Sequence, residues 1–439
     1  MSRISYTRRQ FCRYGLSSVA GLTLLDLAAC GSSSSTSSGG SQTLQLSFWG
    51  DASRNKLTRN AITLYQQAHS GTTIHSWFAD FNSYFNKLNT QIAGGSVPDL
   101  IQMDMAYLSQ YVNQKILLDL GPLISNKTID LSDFDQGMLK NSEDKGVVYG
   151  ISLGGNYECM LYDTQVVKDA GLSAPPSSWT WDDYAQYVGK ISKALSSKQI
   201  YGSPDSSGAI DIFEIWVRQQ GHELYTSDGG VAFTLDDVTS WFTYWSQLRK
   251  AGACAPAQLQ ASVTGSGPAA TLLTQGKVAF AIAHSNQFHG FQVLSQHPYA
   301  LQMVPNGPKP GLYLKPSMLM SVAAKSKYTK EAADFINFLI TQPKGVKAIG
   351  LDRGIPGSAR ARAALQPTLK AEDKAVLAYA SQVASSGQTS SKTVLDPPNA
   401  GKLQTLLMNV AQAIGFGKQS VADGAKAFYD GSQKALTRS

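Results

Sequence analysis

From Leu44 onward the apolar residues change period, and that change limits the fold more than any other feature of the chain. Leu44, Leu46 and Phe48 recur at every second residue, the mark of a strand, and Trp49-Gly50-Asp51 follows as a turn. Leu57, Ala61, Leu64, Tyr65 and Ala68 then recur at helical spacing, with Gly71 where the helix should stop. A second strand is expected around Ile74 to Phe78, a helix through Tyr84, Leu88 and Ile92, and a third strand over 98–103. This βαβαβ order predicts a mainly parallel sheet with helices on both faces. Ligands bind such sheets outside the carboxyl ends of the strands, which singles out Trp49 and Asp51, Phe78 and Asp80, and Asp104.

The residues before that pattern are expected to be an address rather than fold. Arg3, Arg8, Arg9 and Arg13 precede a mostly apolar run from Tyr14 to Ala29, too short and too interrupted by Ser17, Ser18 and Asp26 for a good membrane span. Thr7-Arg8-Arg9-Gln10-Phe11 resembles a twin-arginine export signal, and Leu27-Ala28-Ala29-Cys30 resembles the lipobox of bacterial lipoproteins, with cleavage before Cys30 and lipidation of its sulfur. Residues 1–29 are therefore read as an export signal and 30–43 as a lipidated cysteine with a Ser/Gly tether, whose reach would be about 20 Å.

The whole 439-residue chain carries a formal charge of +7; residues 1–29 hold four Arg and one Asp, so the remainder carries +4. With 43% apolar and 16% charged residues this is a globular composition, and no Lys/Arg block suggests nucleic acid. Cys12 and Cys30 fall in the leader and tether; Cys159 and Cys254 could form a disulfide outside the cytoplasm or remain separate buried thiols. Further along, a strand is expected at 159–162, a helix opened by Thr180 or Ser178 as cap, a Trp-rich helix from Trp241, strands at 278–283 and 318–323, a helix from Thr329, and a helical last hundred residues.

Several short strings then match a known pattern in order: Val147-Val148-Tyr149-Gly150-Ile151, Leu161-Tyr162-Asp163, Ala170-Gly171-Leu172, Pro175-Pro176, Trp179-Thr180-Trp181-Asp182-Asp183 and Arg353-Gly354-Ile355-Pro356. Together, from about Leu44 to Pro356, they resemble the family 1 extracellular solute-binding proteins, the carbohydrate receptors of bacterial ABC importers that include the maltose-binding proteins. The resemblance implies an α/β, two-lobed periplasmic-binding-protein-like fold of type II, each lobe a mainly parallel sheet flanked by helices. It implies a first lobe of 44–152 plus about 284–315 and a second of 153–283 plus about 316–439. Crossings would lie near Ser152 to Asn156, Ala283 to Asn286 and Gly311 to Ser321. The ligand would sit in the cleft at the hinge, and closure would present the protein to permease subunits.

Carried over by motif position, the first lobe would offer Trp49, Asp51, Asp80, Asp104 and Tyr107, and the second Asn156, Tyr157, Asp211 and Trp216. His284, Asn286, Tyr313 and Arg353 would complete the cleft. A sugar needs planar hydrogen-bonding groups for its hydroxyls and aromatic plates for its C–H faces, and these types supply both. The same residues have plainer readings: the acids can cap helices, and the tryptophans can fill cores. No catalytic residue, cofactor or metal ligand set is expected, since Gly-x-Ser-x-Gly, His-Glu-x-x-His, Gly-x-Gly-x-x-Gly and Cys-x-x-Cys are all missing from the sequence. The expected protein is thus a monomeric, lipid-anchored, extracytoplasmic carbohydrate receptor that partners an ABC permease. A lipid-anchored carbohydrate-active enzyme, or a receptor of this fold for a non-sugar solute, are the alternatives.

Overall fold

A computed structural model describes residues 42–140, 142–263, 267–390 and 396–436. The leader, Cys30 and nearly all of the tether lie outside the described residues. Gln42 and Thr43, expected as the end of the tether, already belong to the first strand.

The chain begins with β1 (Gln42–Trp49), α1 (Ala52–Ala68), β2 (Thr72–Ala79), α2 (Phe81–Ala93), β3 (Leu100–Met103) and α3 (Met105–Asn113). The expected alternation places Leu44, Leu46 and Phe48 at zero exposure. Asp51, Asp80 and Asp104 cap α1, α2 and α3, each side chain accepting from a backbone N–H of the helix it opens. The chain crosses through β4 (Ile151–Ser152) into β5 (Glu158–Asp163), then forms α4 (Trp181–Ala194), α5 (Ile210–Gln220) and α6 (Leu235–Lys250). Thr180 and Asp183 make a reciprocal capping box on α4. β6 (Phe280–His284) and β7 (Tyr299–Gln302) follow, before a return through β8 (Leu319–Val322), α7 (Thr329–Thr341) and α8 (Pro343–Ile349). The last elements are α9 (Ala371–Ser385), α10 (Ala400–Gly415) and α11 (Val421–Leu436). Among the described residues no helix is long and apolar enough to cross a membrane.

Two cores result. The first lobe is built on the sheet β2-β1-β3-β8-β4, in which β1 pairs parallel with β2 and β3 while β8 pairs antiparallel with β3 and β4. The second is built on β7-β5-β6, whose pairings are antiparallel, so the expectation of a mainly parallel sheet holds for the N-terminal three strands only. Short parallel bridges, Tyr201 to Val278 and Ser203 to Cys254, lie beside it. Trp181, Trp216, Trp241 and Trp245 lie in the second core.

Two boundaries are corrected. Residues 284–315 pack with the second lobe, because β7 pairs with β5 and Phe288, Phe291 and Val304 fill the second core. Residues from Met318 to Ile349 pack with the first, because β8 inserts between β3 and β4. The chain therefore crosses between Leu153 and Tyr157, between Leu312 and Met318, and between Ile349 and Val376, and not at 283–286. Cys159 and Cys254 are both buried and unbridged, and the Cys159 thiol donates to the Ala283 carbonyl at 3.1 Å.

The three crossings meet backbone to backbone. Gly155 and Ile355 exchange N–H···O bonds of 2.8 and 2.7 Å, Ser317 N–H donates to Gly154 O at 2.9 Å, and Leu153 N–H donates to Met318 O at 3.0 Å. A Cβ on Gly154 would lie 2.3 Å from the Arg353 carbonyl oxygen. Gly154→Ala is therefore expected to lower the unfolding free energy by about 1 to 3 kcal/mol, the range for forced overpacking. An unchanged denaturation midpoint would show that the crossings can separate freely.

Candidate functional site

Because β1, β2 and β3 run parallel, their carboxyl ends share one edge of the first sheet, and the three capping aspartates follow them. They are not equivalent. Asp51 and Asp80 are exposed. Asp104 is partly buried: burial raises its carboxyl pKa, and the nearby ammonium of Lys315 opposes the rise without cancelling it. Tyr107, one turn into α3, stacks its ring on Phe85 at 3.8 Å. Its hydroxyl faces α10, where a Cβ on Gly401 would come within 2.9 Å of it.

Lys315 belongs to the second crossing and is paired across a short antiparallel bridge with Asn156 of the first. Its ammonium forms an ion pair with Asp211 in the first turn of α5. Beside this pair, Glu158 and His284 stand opposite one another at the ends of β5 and β6 and form a second ion pair. Ligand atoms of Glu158, Asp211 and His284 all lie within 4.8 Å of one another. Burial raises the Glu158 pKa despite the neighbouring imidazole. Burial would lower that of His284, but the carboxylates of Glu158 and Asp211 outweigh it and leave it raised. Burial likewise opposes the charge on Lys315, yet Asp211, Tyr313, Glu158 and Asp104 hold its pKa well above the usual value.

A cavity of about 430 Å³ adjoins this cluster, within the usual size of small-molecule sites. Glu158, Asp211 and His284 form part of its lining, which continues over Ser206, Ser207, Gln260, Gln287 and Gln412, with Phe280, Met408 and Phe416 as apolar surface. Such a lining can exchange several hydrogen bonds with a polyhydroxylated solute. The Glu158–Asp211–His284 trio has the donor types of a cation site, but a metal would first have to displace the Lys315 ammonium from Asp211. The two carboxylates are also close enough to suggest a glycosidase pair, yet each is already committed to a cation.

Of the residues singled out in the sequence, the structure brings together Asp104, Asp211 and His284. It also joins Asn156 and Asn286: the Asn156 amide donates to Asn286 Oδ1 at 3.2 Å, and the Asn286 amide donates to the Asp352 carbonyl at 3.1 Å. Asn156 Oδ1 is buried without a hydrogen-bond partner. Tyr313 donates its hydroxyl to Glu214 at 3.0 Å, and Tyr157 lines a separate cavity of about 480 Å³ behind the crossings.

The two tryptophans expected as sugar plates are packed instead. Trp49 lies against Phe81, Tyr84 and Phe85 at 5.4, 5.4 and 5.8 Å, and Trp216 against Trp181, Trp241 and Tyr244 at 5.3, 5.6 and 5.5 Å. Arg353, also expected in the cleft, is 2% exposed and braces the third crossing against α1 by donating to Thr58 Oγ1 at 2.8 Å and pairing with Asp352. Its burial lowers the guanidinium pKa to about 10. Asp352 in turn accepts from Arg54 Nε at 2.9 Å.

The sequence reading missed Glu158, Lys315 and Phe416. A lone acid heading the apolar string Cys159-Met160-Leu161 was a usable signal for the first, since a charge in a buried strand needs a partner.

The His284–Glu158 pair sets a pH dependence. A histidine whose folded pKa is raised contributes its full stability below the unfolded value of about 6.5 and loses it as pH rises through the folded value. The raised Glu158 acts in the same direction, because its buried ionised form disfavours the fold. Stability measured by denaturation is therefore expected to fall as pH rises above the unfolded histidine value of about 6.5, and His284→Gln should flatten that fall. Parallel pH profiles for the two proteins would contradict this account.

Residues 60–377 match the family described as bacterial extracellular solute-binding proteins. An extracellular solute-binding protein of family 1 from Alicyclobacillus acidocaldarius is 30% identical, with 91% of this chain and 99% of that one superposed at a TM-score of 0.67. A periplasmic oligogalacturonide-binding protein from Yersinia enterocolitica, solved with saturated digalacturonic acid, is 21% identical, with 90% of this chain and 99% of that one superposed at a TM-score of 0.78, which attests the fold. A binding protein of Brucella abortus is 24% identical over 295 residues, 63% of this chain, and the match spans 66% of that protein's length. A family match over most of the folded body, on a two-lobed frame with a polar cavity beside its crossings, places this chain among the bacterial extracellular solute-binding proteins.

Proposed function

We propose that the chain is an extracytoplasmic receptor that captures a mono- or oligosaccharide between its lobes and delivers it to the permease of an ABC importer. The observation that carries this reading is the charged cluster at the crossings, where Asp104 at the end of a first-lobe strand nears Lys315 and Asp211, beside a cavity of about 430 Å³ that the second lobe lines with acids, amides, hydroxyls and aromatic surface. Asp104 from the first lobe, Asp211 and His284 from the second and Lys315 between them would hold the hydroxyl edge of the sugar. The buried Asn156 Oδ1 is an acceptor that a hydroxyl would satisfy. The Yersinia protein of this fold, solved with a digalacturonide, supports a sugar as the solute class.

Binding at the junction would draw the lobes together, since Asp104 follows a strand of the first sheet, Asp211 lies in the first turn of a second-lobe helix, and both would contact one solute. A thermal-shift screen of mono- and oligosaccharides tests the reading: a sugar present at 100 times its Kd should add about 2.7 kcal/mol of stability. Asp211→Asn should weaken that sugar by about 5-fold or more, because Lys315 and the sugar would both lose a charged partner. A panel in which no sugar stabilises the protein would count against a carbohydrate, and release of shorter sugars on incubation would favour the enzyme reading instead.

The Arg8-Arg9 pair and Leu27-Ala28-Ala29-Cys30 support export and lipidation at Cys30, with the globule held to the outer face of the cell membrane. Cys30→Ser is then expected to move the exported protein from the membrane fraction to the soluble one. An unmodified Cys30 thiol on exported protein, seen by mass spectrometry, would refute the anchor.

A further inference from the structure

With Trp49 and Trp216 enclosed in the two cores, the cavity needs another apolar plate if it is to hold a sugar ring. The lining of the cavity includes one wall of α10: Met408, Ala411, Gln412 and Gly415, spaced three to four residues apart on one helical face, and then Phe416 at the helix end. Met408 is 45% exposed and Phe416 41%, which makes them two of the few large apolar side chains left open to solvent. The Phe416 ring meets no other aromatic ring among the described residues.

The position of Phe416 is fixed by its surroundings. Its backbone N–H donates to the Gln412 carbonyl at 2.9 Å as the C-terminal cap of α10. The preceding Gly415 lets the helix end settle against its neighbours, since a Cβ there would already lie 3.2 Å from Ala257 Cβ. At the loop facing α10, a Cβ on Gly208 would lie 3.1 Å from Met408 Cα, so the wall is seated closely along its length. The chain thus holds an uncovered aromatic ring in a rigid frame, at the border of a cavity whose other lining groups are hydrogen-bonding partners.

We infer that Phe416, with Met408 beside it, is the apolar plate on which the C–H face of a bound pyranose rests while its hydroxyls meet Asp211, His284, Gln287 and Gln412. The inference rests on the carbohydrate reading above and adds to it a specific contact. Its chemistry requires a ring with a flat C–H face, because an acyclic polyol presents hydroxyls without such a face.

The test uses the full-length protein and titration calorimetry with maltose, cellobiose, galactose and digalacturonic acid, taking forward whichever binds the parent most tightly, and sorbitol as the acyclic control. Phe416→Ala should weaken the chosen sugar by about tenfold or more, the scale expected for losing a buried aromatic contact. Phe416→Trp should retain binding and report it by a change in tryptophan emission on adding the sugar. Val293→Ala, which removes a 62% exposed side chain that is not part of the cavity lining, should bind as the parent does. All three variants should melt as the parent does without sugar, since their side chains are open to solvent. If the parent binds a sugar and Phe416→Ala binds it equally well, the plate is wrong and the carbohydrate reading survives. Binding of sorbitol as tight as that of the sugar would also overturn the plate. If no sugar of the panel binds the parent, the carbohydrate reading falls and the plate with it.

Discussion

The joint between the two lobes depends on three backbone segments lying against one another without side chains between them. Gly154 and Gly155 allow it: their carbonyls and N–H groups bond to Ser317 in one neighbouring crossing and to Ile355 in the other. The positive φ of Gly354, at 96°, completes the contact, because a Cβ there would lie 2.5 Å from the Gly155 oxygen. Two lobes with separate cores are thus joined by a small ladder, and small rotations within it would be enough to change the width of the space between them.

The same ladder places the charges. Lys315 and Asn156 are paired residues of two crossings, so the register that holds the hinge also sets the ammonium beside Asp211 and near Asp104. Buried charges are tolerated only when they are compensated, and here Glu158 and Asp211 of the second lobe each have a cationic partner. Asp104 comes from the other lobe, and the local field it feels depends on the spacing of the lobes. The electrostatics of the site and its mechanics are therefore one arrangement.

The first half of the fold was legible because β1 to α3 is made by local patterns, alternating residues and helical repeats that need no distant partner to be recognised. The segments over 299–302 and 319–322 look alike locally, yet one pairs with β5 and the other inserts beside β3, partners more than a hundred residues away. Pairing over such distances is decided by tertiary packing, which is why the boundaries of the lobes were misplaced, the strand at 318–323 was expected and the one at 299–302 was not. The same limit governed the site. Asp51, Asp80 and Asp104 are identical in local sequence role, each capping a helix, and only the tertiary burial of Asp104 and the arrival of Lys315 distinguish it. Trp49 and Trp216 had the right chemistry for a sugar, but neighbouring aromatics brought from elsewhere enclosed them. Phe416, set between Gly415 and Gly417 at the end of a helix, had no such neighbours.

The two cysteines of the folded body bear on how the protein reaches its place of work. Cys159 and Cys254 are buried in the second core as separate thiols, and burial raises both pKa values, so little reactive thiolate forms. Among the described residues no bridge has to form for the fold to close, so the folded body reaches the same covalent structure in a reducing or an oxidising compartment.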